Sequence, residues 1–484
     1  MPFPKEVKEF FDREQGQIII VKGKSGTGKT TLALSLLAEL VKQNPMKFKS
    51  ENFIYLSSSV STASLRSQFP WLFDFVPETN ILDATPSLDI LSESSLESNN
   101  MSPSRIVYSD ELTFISALND RLQTIQSSVC IIDSFDSVVE AAHADSRRLA
   151  SALTNLGRTN KAKIILITEG DVESPLDHIV DGIVCLTKTT EDGKIWRTIR
   201  TDKLRGVQIE QSHHGFTLFD NHFRILQPYD AELAHRISTF NVIQHSGGRF
   251  SSGIKELDDI FGGFRRGSTF FIEVGDHVSN EVVNTILLSM IANFLLQESG
   301  VIIIPPNKLS HRRLKSAALR LGFVDQLNLS LRFISSAATT LSVEYAAAEL
   351  GEPYYKTVAL RESTDLENAW NTVLEELRNQ KCKTLLSIIG FGWLHSWLGS
   401  TPLPRWATRI ANDTATESNL AVAIGYKSTS ETNQFLADLA DIHMLITVKA
   451  GVTILRGVNP PSSQYCIFTK LVEGKPQIGF QELA

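Results

Sequence analysis

The chain has 484 residues, 42% of them hydrophobic and 21% charged, with a formal net charge of −7 and a pI near 5.9. That length suggests two to four domains with ample core, and the acidic balance disfavours a broad basic face for nucleic acid. Cys130, Cys185, Cys382 and Cys466 lie far apart and form no C-x-x-C pair, which argues against a disulfide framework or a zinc site and suits a reducing cytoplasm. The opening residues Met1–Glu6 are not a signal peptide, and the most apolar helical stretch, around Ile286–Leu296, is too short to span a bilayer.

In chain order, the first half alternates strands and helices. Gln17–Val21 reads as a strand, Lys29–Val41 as a helix, Phe53–Leu56 and Ile106–Tyr108 as strands, and Glu111–Ile125 as a helix. Val129–Asp133 follows as a strand, Ser146–Leu156 as a helix and Lys163–Thr168 as a strand. Continuous apolar runs separated by helices predict a parallel sheet buried on both faces. After Asp181, the segments Gly182–Lys188, Lys194–Asp202 and Gly215–Leu218 alternate around turns, which predicts an antiparallel extension at the sheet edge. Residues 86–105 are serine-rich and acidic, as in a disordered surface insertion.

A second domain begins near His245. Its strands are expected at Phe270–Val274, Val301–Ile304, Leu385–Ile389 and Ala421–Ile424, with a helix over Asn280–Leu296. Edge strands are expected at Ile442–Val448, Val452–Arg456 and Tyr465–Lys470. Both halves run in the same order, as in an internal duplication. The resulting expectation is an α/β fold with residues 1–228 as a first domain, 229–248 as a linker and 249–484 as a second domain.

The chemistry concentrates at Gly23-Lys24-Ser25-Gly26-Thr27-Gly28-Lys29-Thr30, followed by Thr31. This satisfies G-x-x-x-x-G-K-[ST] between an apolar strand and a helical pattern, the context the motif requires. The glycines let backbone N–H groups and a helix N-terminus surround phosphate oxygens. Lys29 is placed to reach the β- and γ-phosphates of ATP, and the Thr30 hydroxyl to hold Mg²⁺. The alternative is a glycine-rich strand–helix turn that binds nothing. Asp133 ends an apolar strand where a Mg²⁺-positioning carboxylate belongs in a P-loop protein, although a strand-end acid can also be only a cap. Thr168 and Glu169 end the next core strand, where either can position a water or sense the γ-phosphate; a capping or solvated role for Glu169 is the other reading. Lys203 and Arg205 point to one face of a strand, as a clamp on phosphate oxygens or as solvated charges that guard a sheet edge. No carboxylate follows the second strand, which ends Tyr55-Leu56-Ser57-Ser58-Ser59.

These residues resemble the KaiC-like branch of the RecA superfamily. Ser252–Gly267 is similar to that family's lead-in block, TG-x-x-x-LD-x-x-x-GG-x-x-x-G, and Lys203-Leu204-Arg205-Gly206 resembles its K-x-RG element. The resemblance implies tandem RecA-like domains and assigns Lys203 and Arg205 to the ATP of an adjacent protomer in a homo-oligomer. A narrower similarity, to archaeal ATPases related to the gas-vesicle regulator GvpD, rests on Phe10-Phe11, the early P-loop, 55–61, 68–72 and 176–182. Two departures matter. The first domain lacks the lead-in block, and Ser57 and Ser58 stand where KaiC-type domains usually carry paired glutamates.

In the second domain the loop position reads Gly275-Asp276-His277-Val278-Ser279-Asn280-Glu281, without a lysine, and Leu385–Ile389 runs into Gly390 rather than an acid. Asp276 and Glu281 would repel phosphate, so a catalytically dead copy is expected. The basic stretch His311–Lys315 reads as a solvated helix face or a contact for an acidic partner or phosphate.

The expected function is an ATP- and Mg²⁺-dependent regulatory ATPase that is slow at its first site, cytoplasmic, oligomeric, and read by an unknown protein partner. The alternatives are a recombination-type ATPase that binds single-stranded DNA and a scaffold that binds ATP without hydrolysing it.

Overall fold

The computed structural model describes residues 3–484 apart from 14–15, 44–47, 50–51, 59, 85–105, 126–128, 171, 192, 239, 307–308, 337–355, 361–364, 400–402 and 428–429. The serine-rich segment 86–105 lies outside the described residues. Two compact units divide the chain: Met1–Leu226 with Leu483–Ala484, and Gln227–Glu482.

The first unit contains α1 (Lys5–Asp12), β1 (Gln17–Gly23), α2 (Lys29–Gln43), β2 (Phe53–Ser57), α3 (Thr62–Gln68), β3 (Ile81–Asp83) and α4 (Glu111–Ile125). Then come β4 (Val129–Asp133), α5 (Phe135–Ala141), α6 (Ser146–Asn160), β5 (Lys163–Glu169), β6 (Gly182–Glu191), β7 (Lys194–Leu204), β8 (His213–Thr217) and β9 (Arg224–Ile225). The sheet order is β3-β2-β4-β5-β1-β6-β7-β8-β9, parallel from β3 to β6 and antiparallel beyond.

Alternation along β1 feeds two separate cores. Ile19 and Val21 pack with Leu32 and Leu36 of α2, while Ile18 and Ile20 pack with Phe114 and Leu118 of α4 and Leu149 and Leu153 of α6. Successive side chains of a strand face opposite sides, so a strand that is apolar at every position must be covered on both. Each such fully buried Ile or Leu contributes about 2 kcal/mol. Ile106–Tyr108 is not a strand. The outer strand is Ile81–Asp83, and Ile106 N donates to Asp83 O at 3.0 Å as the chain passes its end. Three residues give too little periodicity for Ile81–Asp83 to be recognised from sequence.

The second unit contains α7 (Ala231–Ala234), β10 (Arg249–Phe250), α8 (Lys255–Phe261), β11 (Phe264–Arg265), β12 (Ser268–Val274), α9 (Asn280–Leu295), β13 (Gly300–Ile304), α10 (His311–Leu321), α11 (Val324–Ser330), β14 (Leu331–Ser336) and β15 (Lys356–Leu360). It continues with α12 (Asp365–Asn379), β16 (Leu385–Gly390), α13 (Phe391–Leu398), α14 (Leu403–Thr416), β17 (Leu420–Tyr426), α15 (Ser430–Leu439), β18 (Ile442–Lys449), β19 (Val452–Asn459), β20 (Gln464–Val472) and β21 (Lys475–Glu482). Its main sheet runs β15-β14-β13-β16-β17-β12-β18-β19-β20-β21. Apart from the extra β15, this is the first unit's order strand for strand.

The two sheets also match in register. In the first, Val21, Ile167 and Asp133 form one row across β1, β5 and β4. In the second, the corresponding row is Ile272, Ile424 and Gly390. At the base of each sheet one aspartate ties down the central strand. Asp181 Oδ2 accepts from Ile18 N at 3.2 Å, and Asp441 Oδ2 accepts from Thr269 N at 2.8 Å. The segment expected as a linker makes bonds inside the second unit: Tyr229 OH lies 2.7 Å from Thr285 Oγ1, and Ile243 N donates to Asn293 Oδ1 at 2.9 Å.

Candidate nucleotide site

Gly23 ends β1 level with Glu169 on β5, so the loop that leaves β1 emerges beside that carboxylate. Gly26 and Gly28 take φ of +73° and +102°, a region that side chains resist. A Cβ on Gly28 would stand 2.6 Å from Leu218 Cδ1. Leu32 N donates to Gly28 O at 2.8 Å, closing the first turn of α2.

Lys29 is buried and folded back over its own loop. Its Nζ donates to Gly23 O at 2.7 Å and Lys24 O at 3.2 Å and pairs with Glu169 Oε1 at 2.9 Å. Thr30 Oγ1 donates to Asp133 Oδ2 at 2.6 Å. Tyr55 OH donates to the same oxygen at 2.7 Å. Burial, followed by the Asp133 charge, pushes the Tyr55 phenol well above its ordinary value, so Tyr55 remains a donor. Lys29, Thr30, Asp133 and Glu169 thus converge around one loop.

Three neighbours were not singled out from sequence. Tyr55 reads as an ordinary core aromatic, and only its register beside Ile131, two residues short of the strand end, brings it to Asp133. Asp136 Oδ2 accepts from Glu169 N at 2.7 Å. Burial raises the Asp136 carboxyl and the Glu169 charge raises it further, against that N–H and Lys29. Lys188 Nζ lies 3.9 Å from where a Cβ on Gly26 would be, adding a cation beside the loop. The signal for Lys188 was the length of β6, which continues past the end of β1.

The positions after β2 carry no acid. Ser57 Oγ donates to Val60 O at 2.6 Å, and Ser58 Oγ accepts from Ser134 N at 2.8 Å. Ser57 is level with two carboxylates, Asp133 on β4 and Asp83 one strand outward on β3.

Lys203 and Arg205 are not gathered with the others. Lys203 Nζ donates to Asp177 O at 2.8 Å, and Arg205 Nη1 pairs with the buried Asp181 Oδ1 at 2.7 Å. Arg205 N donates to Asp181 O, and Asp181 N to Ile18 O. Arg205 is therefore level with the start of β1, about 16 Å below Gly23 and two strands, or about 10 Å, to the side. Burial, then the charge of Arg205, lowers the Lys203 ammonium.

The same rows in the second unit carry different groups. Gly390 stands where Asp133 stands, and a Cβ there would fall 2.4 Å from Pro305 O and 2.5 Å from Pro306 Cα. The loop after β12 holds Asp276, paired with Lys427 Nζ at 2.6 Å. Glu281 turns away to Arg313 Nη1 at 2.5 Å and His235 Nε2 at 3.1 Å. Lys203 sits level with Ile183 on β6, whereas its counterpart level with His443 on β18 is Asn459, followed by Pro460-Pro461.

Residues 7–204 match the P-loop domain of the GvpD gas vesicle protein, and residues 239–325 match GvpD basic region 2. The chain is 28% identical over 480 residues to protein GvpD2 of Halobacterium salinarum, covering 95% of this chain and 92% of that one. Protein GvpD1 of the same organism is 29% identical over 325 residues, covering 63% and 56%. The circadian clock oscillator protein KaiC of Rippkaea orientalis is 27% identical over 260 residues, covering 51% and 46%. No helix among the described residues is long and apolar enough to cross a membrane. Two mainly parallel sheets in matching order, an intact loop on the first, and these similarities lead to one conclusion: the chain is a tandem RecA-like P-loop ATPase related to GvpD.

Proposed function

We propose that the chain is a cytoplasmic regulatory protein of the GvpD type that binds ATP·Mg²⁺ at Gly23–Thr31 and hydrolyses it slowly. The observation that carries this reading is the convergence of Lys29, Thr30, Asp133 and Glu169 on one loop. The donor set fits the ligand. Gly26 and Gly28 supply the positive φ values of a loop that can turn backbone N–H groups to phosphate, and Lys29 supplies the cation. Thr30 and Asp133, already 2.6 Å apart, would hold Mg²⁺. A single carboxylate suits this ion, which keeps waters and phosphate oxygens as its other ligands. Among the described residues no cluster of three His, Cys, Asp or Glu could hold a metal alone. Bound Mg²⁺ would supply charge neutralisation at the phosphates.

Lys29 is held in place by Glu169 until phosphate oxygens take it over. Glu169, once released, is an acceptor for the proton of an attacking water, with Asp136 holding its backbone. Ser57 and Ser58 cannot serve as that base, which favours slow turnover. The same two serines also support a second reading, an ATP-dependent switch that does not hydrolyse.

Lys203 and Arg205 lie too far from their own loop to act on it. A finger role therefore requires a neighbouring copy whose loop end faces this base, a head-to-tail arrangement. The second unit, with loop cation, strand-end acid and finger all replaced, serves packing or partner binding. Mixing Arg205→Ala protein with Lys29→Ala protein tests this. Phosphate release should reappear in the mixture, because some interfaces combine an intact loop with an intact finger. No release above that of the separate variants would contradict the reading.

A further inference from the structure

The second unit carries a polar cleft of about 360 Å³ on the outer side of α9, bounded by α7 and α10. This is within the size range of small-ligand sites. Glu281, Asn284 and Leu288 line it from one stripe of α9, and Arg312, Arg313 and Arg320 from α10. Three arginines thus face one carboxylate, with His235 beside it.

The groups in the cleft are incompletely satisfied. The Asn284 side chain is 3% exposed, and its Nδ2 is buried without a hydrogen-bond partner. Arg320 Nε and Nη1 are likewise shielded and unpartnered, and burial lowers that guanidinium from its ordinary value. Buried donors left unmade cost stability, so such a set in one cleft calls for an acceptor. Among the described residues Glu281 is the only acid on the wall, and it already holds Arg313 and His235. The missing partner is therefore anionic and rich in oxygen. Guanidinium forks match phosphate oxygens in paired bonds, and Leu288 offers an apolar wall to the body of a ligand.

We infer that this cleft binds a small phosphate monoester, the size of a sugar phosphate, between Arg312 and Arg320, with Asn284 donating to it. The site is separate from the loop after β12, whose Asp276 is engaged by Lys427. It does not depend on the nucleotide reading of the first unit. Ligand binding would displace Glu281 from Arg313 and so alter the first turn of α9.

The test is titration calorimetry on the full chain carrying Lys29→Ala, which removes phosphate binding at the first loop. The probes are ribose 5-phosphate, ribose, inorganic phosphate and a single-stranded DNA 20-mer. Ribose 5-phosphate should bind at one site per chain, and ribose should give no heat. Arg312→Gln and Arg320→Gln should each weaken binding at least tenfold. Arg312 is exposed, so its variant remains informative if Arg320→Gln fails to fold. Absence of saturable binding by both phosphate probes would overturn the inference, as would binding that survives the two substitutions. Inorganic phosphate binding as tightly as the ester would overturn the ester assignment. Displacement of the ester by the 20-mer through Arg320 would identify a nucleic-acid surface instead.

Discussion

The loop after β1 and the loop after β12 leave the same place in two sheets of the same order, yet their charges are reversed. In the first unit the loop contributes a lysine and the neighbouring strand an acid, Lys29 and Glu169. In the second the loop contributes an acid, and the residue after the neighbouring strand is a lysine, Asp276 and Lys427. Each pair neutralises itself, so either arrangement is compatible with a stable fold. Only in the first does the cation come from the loop-to-helix segment itself. The comparison teaches that a RecA-like sheet does not need its nucleotide chemistry in order to fold. The cores are set by alternating apolar strands, whereas the site depends on a few residues at strand ends.

The largest expected effect is at Lys29. Lys29→Ala should weaken ATP binding roughly 100-fold or more, since charge-assisted bonds to several phosphate oxygens are lost. Filter binding or calorimetry reads this directly, and unchanged affinity would erase the difference between the loops. Next is Arg205→Ala, which should lower phosphate release by up to about 10³-fold while ATP affinity changes little. A large loss of affinity instead would place Arg205 in its own chain's site.

A third test attempts to repair the second unit. Gly390→Asp restores the acid of the row but drives a Cβ into Pro305 and Pro306. It should cost about 3 kcal/mol, seen as a fall of roughly 6–12 °C in the melting of that unit. A variant that melts like the parent would mean that the backbone can yield and that the second site is less closed than its geometry implies.

The smallest effect concerns pH. His245 Nδ1 accepts from Ser251 N at 3.1 Å. Burial, with Arg266 nearby, pushes its pKa from the usual 6.5 down to about 4. The unfolded chain takes up this proton near 6.5, so the contribution is complete above that pH and is lost as pH falls toward 4. His245→Gln should flatten that part of the stability profile of the second unit by a few °C at most. An equal acid slope in both proteins would remove His245 as its cause.

The P-loop was legible in the sequence because it is contiguous and lies between an apolar strand and a helix. Strand-end acids such as Asp133 and Glu169 were legible because apolar runs announce where a strand stops. Tyr55, Asp136 and Lys188 were not, because each reaches the loop through sheet register or a local turn rather than through spacing. Ile81–Asp83 was too short to show periodicity. The charge reversal at Asp276 was half legible: the missing lysine could be read, but its partner Lys427 lies 151 residues away in sequence. The cleft on α9 was hidden for a similar reason. His311–Lys315 reads as a solvated helix face or a contact for an acidic partner or phosphate, and only the packing of α10 against α9 brings Arg313 to Glu281.

The most direct test of the asymmetry between the units is a count of nucleotides per chain, by equilibrium dialysis of the full protein with ATP and Mg²⁺. The account predicts one ATP per chain, falling to none in Lys29→Ala. Two per chain, or one that persists in Lys29→Ala, would mean that the second loop binds nucleotide after all.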